Sequence, residues 1–369
     1  MSIELQYTQT IDDLDTAEWD RCLATRGTFS ARGLAFLEDA FGPANPPEHA
    51  WKFHYFVARE HGRPLAATFF TDSLWKDDLF APAEESARIE TLRARDRYLM
   101  TSRVLSMGSL LTEGNHLFVD YRGNWAAALE QILERAIALG EEIGSPQLIL
   151  RDLPARNLEV DAVLRNLEFN GAELPPSMVI PIAGWEGKAE FIAKQSKKHR
   201  WELRRKVFSH DGNFRRDILT SETRAPTRSE LAEFYALYRE VHARSLELNT
   251  FALLPQVFQK MADHPDWELL ILRLSPEVFG QKANQMAAWG ACFAGAEQYA
   301  PMVVGLDYDY VEQHGVYRQA LWAALSRARQ RGAKRLCLGM GAPLEKARFG
   351  AVSEPCALYE RILDKPDSA

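Results

Sequence analysis

One order of elements occurs twice along this chain, and it restricts the fold more than any other feature. In the first half, residues 51–59 read as a strand, with Trp51, Phe53, Tyr55 and Val57 alternating along it. The turn His61-Gly62-Arg63-Pro64 leads to a partner strand at 65–70. Further strand is expected at 103–111 and 116–119. A helix over 125–139 stops at Gly140, and a strand follows at 147–150. In the second half a strand over 267–274 is followed by a turn-rich insert at 275–285. Strands at 286–293 and 299–306 come next, with Gly295 breaking the pair, then a helix over 316–331 stopping at Gly332 and a strand at 335–338. Both hairpins begin with Trp and both helices stop at Gly, so the pattern reads as a duplicated unit of hairpin, further strand, helix and strand. Such a unit gives an α/β (α+β) fold, with a mixed central sheet flanked by helices in each copy.

The rest of the chain fits around these copies. A strand at 3–8 and helices at 17–24 and 31–41 precede the first, and residues 77–97 read as a polar, irregular excursion. Ala172-Glu-Leu-Pro-Pro-Ser177 is the best linker, which divides 369 residues into domains 1–172 and 173–369. A strand at 178–182, a basic helix over 191–209, a strand at 213–219 and a helix over 229–248 open the second domain. The net charge of −7 gives no global attraction to nucleic acid or anionic membrane, so any basic site must be local. Cys22, Cys292, Cys337 and Cys356 are scattered, which speaks against a zinc or redox motif, and no metal site is expected. Scattered cysteines, an opening segment unlike a secretory leader and no apolar run near the ~20 residues of a membrane helix imply a cytoplasmic protein without a membrane span. Motifs of hydrolases, kinases and metalloproteases do not occur.

Three short motifs in the second half carry a resemblance. Ser196-Lys-Lys-His-Arg200 with Arg204-Arg205, Val304-Gly-Leu-Asp307 followed by Tyr310, and Gly339-Met-Gly341 with Lys346 and Phe349-Gly350 resemble the Gcn5-related N-acetyltransferase (GNAT) superfamily. Within it, the likeness is to the tandem-domain branch of Fem-type aminoacyltransferases and the acyltransferase-like domains found beside biotin-pathway synthases. The resemblance implies two GNAT-like domains, the C-terminal one an acyltransferase. It departs from the usual phosphate loop on the crossover helix. In Gln313-His-Gly-Val-Tyr-Arg318 one glycine remains, and Val316 and Tyr317 crowd the place where backbone would approach a pyrophosphate.

Candidate site residues follow from this layout, each beside a structural alternative. Gly315, Val316, Tyr317 and Arg318 open the crossover helix, whose free N–H groups and dipole suit an anionic donor; otherwise they form an ordinary strand-to-helix turn. Arg200 and Arg204 lie one turn apart on the basic helix and could hold a phosphorylated donor, a carrier or a tRNA acceptor stem; otherwise they belong to a solvated face. Lys346, by resemblance, faces the cleft as a cation, or else is a surface lysine. Asp307 ends an apolar strand and could accept the proton of an acceptor amine, or cap the following loop. His242 is a candidate base and Tyr308 a candidate donor to a departing thiolate; packing is the alternative for both. Cys337 reads as core.

Three functions remain open. The first is an N-acyltransferase that moves an acyl group from acyl-coenzyme A or a related carrier onto an amine by direct attack, with no tightly bound cofactor. The second is a Fem-type enzyme whose donor is an aminoacyl-tRNA; the absence of a long charged helical hairpin weighs against it. The third is a non-catalytic binding module of the same fold. Tyr121-Arg-Gly-Asn124 is the equivalent loop of the first domain, with Gly123 its single glycine, and that domain is expected to shape the acceptor side.

Overall fold

The computed structural model describes residues 2–155 and 157–363. β1 (Glu4–Thr8) is followed by α1 (Thr16–Leu23) and α2 (Ala31–Ala40). Asp15 and Ser30 start these helices by accepting the N–H groups of Glu18 and Gly33. Then come β2 (Lys52–Glu60), β3 (Arg63–Lys76), α3 (Ala83–Arg93), β4 (Thr101–Met107), the short β5 (Phe118–Val119), α4 (Trp125–Glu142), β6 (Gln147–Pro154), α5 (Leu158–Asn166) and β7 (Asn170–Pro181). The later part comprises α6 (Lys188–Lys194), α7 (Lys197–Lys206), β8 (Phe214–Thr220), α8 (Arg228–His242), α9 (Pro255–Asp263), β9 (Trp267–Leu274), the one-turn α10 (Pro276–Phe279), β10 (Met286–Ala294), β11 (Gln298–Leu306), the one-turn α11 (Val311–His314), α12 (Val316–Gln330), β12 (Arg335–Cys337), α13 (Pro343–Ala347) and β13 (Val352–Ile362).

Several expectations are corrected. The polar stretch 77–97 contains α3, which has no helical repeat of apolar residues; Ser86, Ile89 and Arg93 are the side chains it buries. α4 runs through Gly140 to Glu142, and it is Gly144, just past the Ile143 cap, that takes the left-handed conformation with φ 69°. Gly140 serves packing instead, because an added Cβ would stand 2.4 Å from Leu363 Cδ1. The basic helix 191–209 is two helices, interrupted where Gln195 is extended and Ser196 caps the N–H of His199. α9 and α5 were not anticipated; Pro255, at the first position of α9, was the available signal.

The chain forms two compact units. Instead of dividing at 172/173, it changes unit between Pro175 and Pro176, inside β7, so the expected linker is extended strand. Leu246–Phe251 and the described residues from Pro355 onward also belong to the first unit.

In the N-terminal unit the strand order is β1-β2-β3-β4-β6-β13-β7, with β5 beside β3. β4 and β6 run parallel, and the pairs β1–β2, β2–β3, β3–β4 and β6–β13 are antiparallel. α4 lays Leu129, Ile132 and Leu133 on Phe56, Phe70 and Leu148 of the sheet, and Tyr359 and Leu363 join this core. In the C-terminal unit the order is β7-β12-β11-β10-β9-β8, with β11–β12 parallel and its other neighbours antiparallel. Here α12 packs Leu321, Trp322 and Leu325 against Leu270, Cys292 and Leu336. Trp289, on the opposite face of β10 from Cys292's neighbours Gly290 and Ala288, donates its indole N–H to Phe234 O of α8 at 2.9 Å. The two helices thus cover opposite faces. The sequence β2-β3-β4-α4-β6 and the sequence β9-β10-β11-α12-β12 share one order and one pairing pattern, as a duplication requires. No helix among the described residues is long and apolar enough to cross a membrane.

Candidate active site

The site of the C-terminal unit begins with a fork in its sheet. β11 and β12 are paired only at Gln298–Arg335 and Tyr299–Leu336. Past that point β11 continues for seven residues, Ala300 to Leu306, bonded to β10 on one side. Its other edge has no strand partner among the described residues. Backbone N–H and C=O groups on such an edge are available to an extended ligand. The strand holds its course because α8 presses closely on it: an added Cβ at Gly305 would stand 2.9 Å from Leu237 Cβ and 2.2 Å from Trp289 Nε1.

The start of α12, expected to cradle the donor, is occupied by the protein itself. Gly315 is left-handed with φ 65°, and an added Cβ there would meet Lys206 O and His210 Cδ2 at 3.5 Å. Val316 is fully buried, and Tyr317 packs into the core, where burial pushes its hydroxyl up to about 12. The buried Gln319 donates to Val207 O at 2.6 Å. Asn213 Nδ2 lies 3.2 Å from His210 Nδ1 and 3.3 Å from His314 Nδ1. Arg318 is bidentate to Glu345, at 2.8 and 3.0 Å, and Arg348 grips the same carboxylate. Burial would raise the Glu345 pKa, but the two guanidinium groups outweigh it and hold it at about 2. Lys346, expected to face the cleft, is turned inward and buried. It donates to Leu338 O and, at 3.1 Å, to Gly339 O, strapping the loop that follows β12. A lysine so placed holds the loop and presents no cation to a ligand.

The candidate catalytic residues lie at the far end of β11 and the end of α8. Asp307 accepts the N–H of Asp309 through Oδ1 at 3.0 Å, an Asx turn, and Oδ2 has no partner among the described residues. Tyr308 is 38% exposed and carries the Arg244 guanidinium 4.1 Å from its ring centre. Burial raises its pKa, with Arg244 acting in the opposite sense. His242 ends α8 two residues before Arg244, with its ring 5.7 Å from that of Tyr238. The structure therefore brings Tyr308 to the α8 terminus through Arg244, which sequence reading had not singled out. The spacing His242-Ala-Arg244 at a helix end was its only signal.

α7 carries the basic residues in one stripe. Lys197, Arg200, Trp201, Arg204 and Arg205 fall at i, i+3, i+4, i+7 and i+8, and they line an open groove of about 540 Å³. Trp201 is 53% exposed, and the Arg205 guanidinium lies 5.1 Å from its ring. Arg200 also has a local task, since Nη1 donates to Gln195 O at 2.9 Å and Ala193 O at 3.3 Å across the break between α6 and α7. No group of three or more His, Cys, Asp or Glu side chains among the described residues could hold a metal ion.

This forked parallel pair, crossed by a helix between its strands and present once in each unit, is the frame of the acetyltransferase fold. The acetyltransferase (GNAT) domain family matches residues 196–347. No curated protein matches the sequence. Among solved structures, FemX is similar over 98% of each chain, with a TM-score of 0.60 and 11% identity. A tandem GNAT protein from the clavulanic acid biosynthesis pathway is similar over 99% of this chain and 100% of its own, with a TM-score of 0.55 and 11% identity. A protein of unknown function from Bacteroides thetaiotaomicron VPI-5482 gives a TM-score of 0.52 at 11% identity, over 98% of this chain and 100% of its own. Over almost its whole length the chain thus shares the fold of FemX and of the tandem GNAT protein, and residues 196–347 are the part that the GNAT domain family matches.

Proposed function

We propose that the C-terminal unit transfers an activated acyl group from a carrier to an amine. The observation that carries this reading is the unpartnered edge of β11 from Ala300 to Leu306. Amide groups of an extended donor arm can pair with that edge, which would set the acyl carbonyl near the end of the strand. The amine nitrogen then attacks the acyl carbon, the carbon–carrier bond breaks, and the carrier leaves as thiol or hydroxyl. Asp307 is suited to accept the proton released by the amine, and the Tyr308 hydroxyl to supply one to the leaving group.

The donor's identity is a separate matter. The covered start of α12 argues against a pyrophosphate seated there, which weakens the coenzyme A reading. The stripe on α7 favours the second reading, a donor carried on tRNA. Four cations follow a phosphate backbone, and exposed Trp201 offers a stacking face, worth roughly 1–3 kcal/mol per base in single-stranded complexes.

The test is a mass-spectrometric transfer assay on the full chain, with short and long acyl-coenzyme A donors in one arm and a charged tRNA pool in the other, each against an amine panel. Acylated amine in one arm is the expected result. Asp307→Asn should lower turnover by roughly 10²–10⁴-fold with the melting temperature unchanged. A donor that binds without transfer would leave the non-catalytic module as the reading, and an Asp307→Asn variant with full turnover would take the proton-accepting role away from Asp307.

A further inference from the structure

The N-terminal unit contains the same fork, closed in another way. β4 and β6 pair at Leu105–Leu148 and Ser106–Ile149 and no further. Just beyond, Arg151 on β6 donates to Ser109 O at 2.9 Å and Thr112 O at 3.0 Å, which seals the vertex. Past the seal the chain re-enters the sheet as β5, paired to β3 at Ala66–Val119 and Ala67–Phe118. A cavity of about 240 Å³ remains between β5, the end of β6 and α5. Leu117, Val119, Leu153 and Val160 form its buried apolar wall. Tyr121 and Asn157, joined by a 2.7 Å bond from Nδ2 to the phenol oxygen, stand at its rim.

Two charged groups line this cavity. Arg26 is half-buried, donates through Nη1 to Leu117 O at 2.7 Å and lies 5.4 Å from the Phe118 ring centre. It forms no ion pair among the described residues. Burial is the main influence on it and lowers its pKa, and the groups acting the other way are a thiol, Cys22, and a phenol, Tyr121. A guanidinium stays protonated even so, and a partly desolvated cation without a counter-charge is costly unless a ligand supplies one. Asp161 stands on the same cavity, accepting the Tyr359 hydroxyl on Oδ1. A simple anion would meet that carboxylate, and a simple amine would meet Arg26. A molecule with both charges satisfies both. The volume lies below the ~300–1,000 Å³ of drug-sized sites and suits a small metabolite.

We propose that this cavity binds a free α-amino acid, its carboxylate on Arg26, its ammonium on Asp161 and its side chain against Leu117, Val119 and Leu153. The site would give the N-terminal unit a ligand of its own, independent of the transfer chemistry proposed for the other unit.

Calorimetric titration of the full chain with the standard L-amino acids tests it. Saturable binding of one or more is expected. For the best binder, the α-hydroxy acid lacking the ammonium and the primary amine lacking the carboxylate should each bind about 10- to 100-fold more weakly, the size of a lost charged hydrogen bond. Arg26→Gln and Asp161→Asn should weaken binding by similar factors. Arg26 also supports the Leu117 carbonyl, so Asp161→Asn, whose side chain keeps its shape, is the decisive variant if Arg26→Gln melts early. The proposal is overturned if no amino acid saturates the protein at millimolar concentration. It is equally overturned if the hydroxy acid or the amine binds as tightly as the amino acid, or if folded Asp161→Asn binds like the parent chain.

Discussion

Gly305 shows how a single residue can set the site. Its missing side chain lets the Trp289 indole lie across β11 and bond to Phe234 O, so the strand that offers the free edge is clamped from one face. Gly305→Ala forces the indole or Leu237 aside. A cost of about 1–3 kcal/mol is expected, seen as a melting temperature lower by roughly 2–12 °C. Two histidines give a second prediction. His54 and His116 are buried, and burial pushes the first down to about 4 and the second well below its ordinary value. Both are neutral in the folded chain, whereas the unfolded chain takes up protons below about pH 6.5. The unfolded state therefore binds more protons in that range, and stability present above about pH 6.5 is lost as the pH falls toward about 4. Denaturant midpoints should drop between about pH 7 and about pH 5, and His54→Asn should be less stable at neutral pH with a flatter dependence on pH.

At the scale of elements, the split between α6 and α7 separates two roles that one continuous basic helix had merged. Arg200 holds the junction by bonding the carbonyls of Ala193 and Gln195, so Arg200→Ala should lower the melting temperature as well as any affinity. Arg204 and Trp201 project from the exposed stripe. Arg204→Gln and Trp201→Ala should leave the melting temperature unchanged, weaken binding of a phosphate-bearing donor and, for Arg204→Gln, flatten its salt dependence by about one counterion. Filter binding of charged tRNA at several salt concentrations reads this out. Unchanged binding of both variants at every salt concentration would return the stripe to a solvated surface. The same distinction applies to Lys346 and Arg318. Their positions were legible from the motifs, but their partners, two carbonyls of the loop after β12 and Glu345 of the short α13, are brought to them by packing that no local pattern encodes.

In the molecule as a whole, two segments of the later chain complete the N-terminal unit. Asn249 is buried and receives Lys76 Nζ at 2.9 Å while donating to Asp78 at 2.8 Å and Glu90 at 3.0 Å. Asn249→Leu strips that ionic cluster of its amide and should cost about 1–3 kcal/mol, measured by denaturant unfolding. β13 supplies Tyr359 to the core and pairs with β6 from Gln147 to Pro154. Truncation after Glu354 should abolish cooperative unfolding of the N-terminal unit, detected by loss of its share of the calorimetric transition. The sequence by itself determined the repeated hairpin, strand, helix and strand, because alternation along a strand and a Gly-stopped helical repeat are properties of neighbouring residues. It also marked the residues at the strand end and helix start of the C-terminal unit. Only the tertiary structure decided that the parallel pairs fork after two residues, that Lys206 and His210 cover the start of α12, that Arg26 and Asp161 line one cavity with Arg26 in no ion pair among the described residues, and that β13 belongs to the first unit. Those outcomes depend on pairing and packing between segments far apart in the chain, where loop closure and burial outweigh local preference.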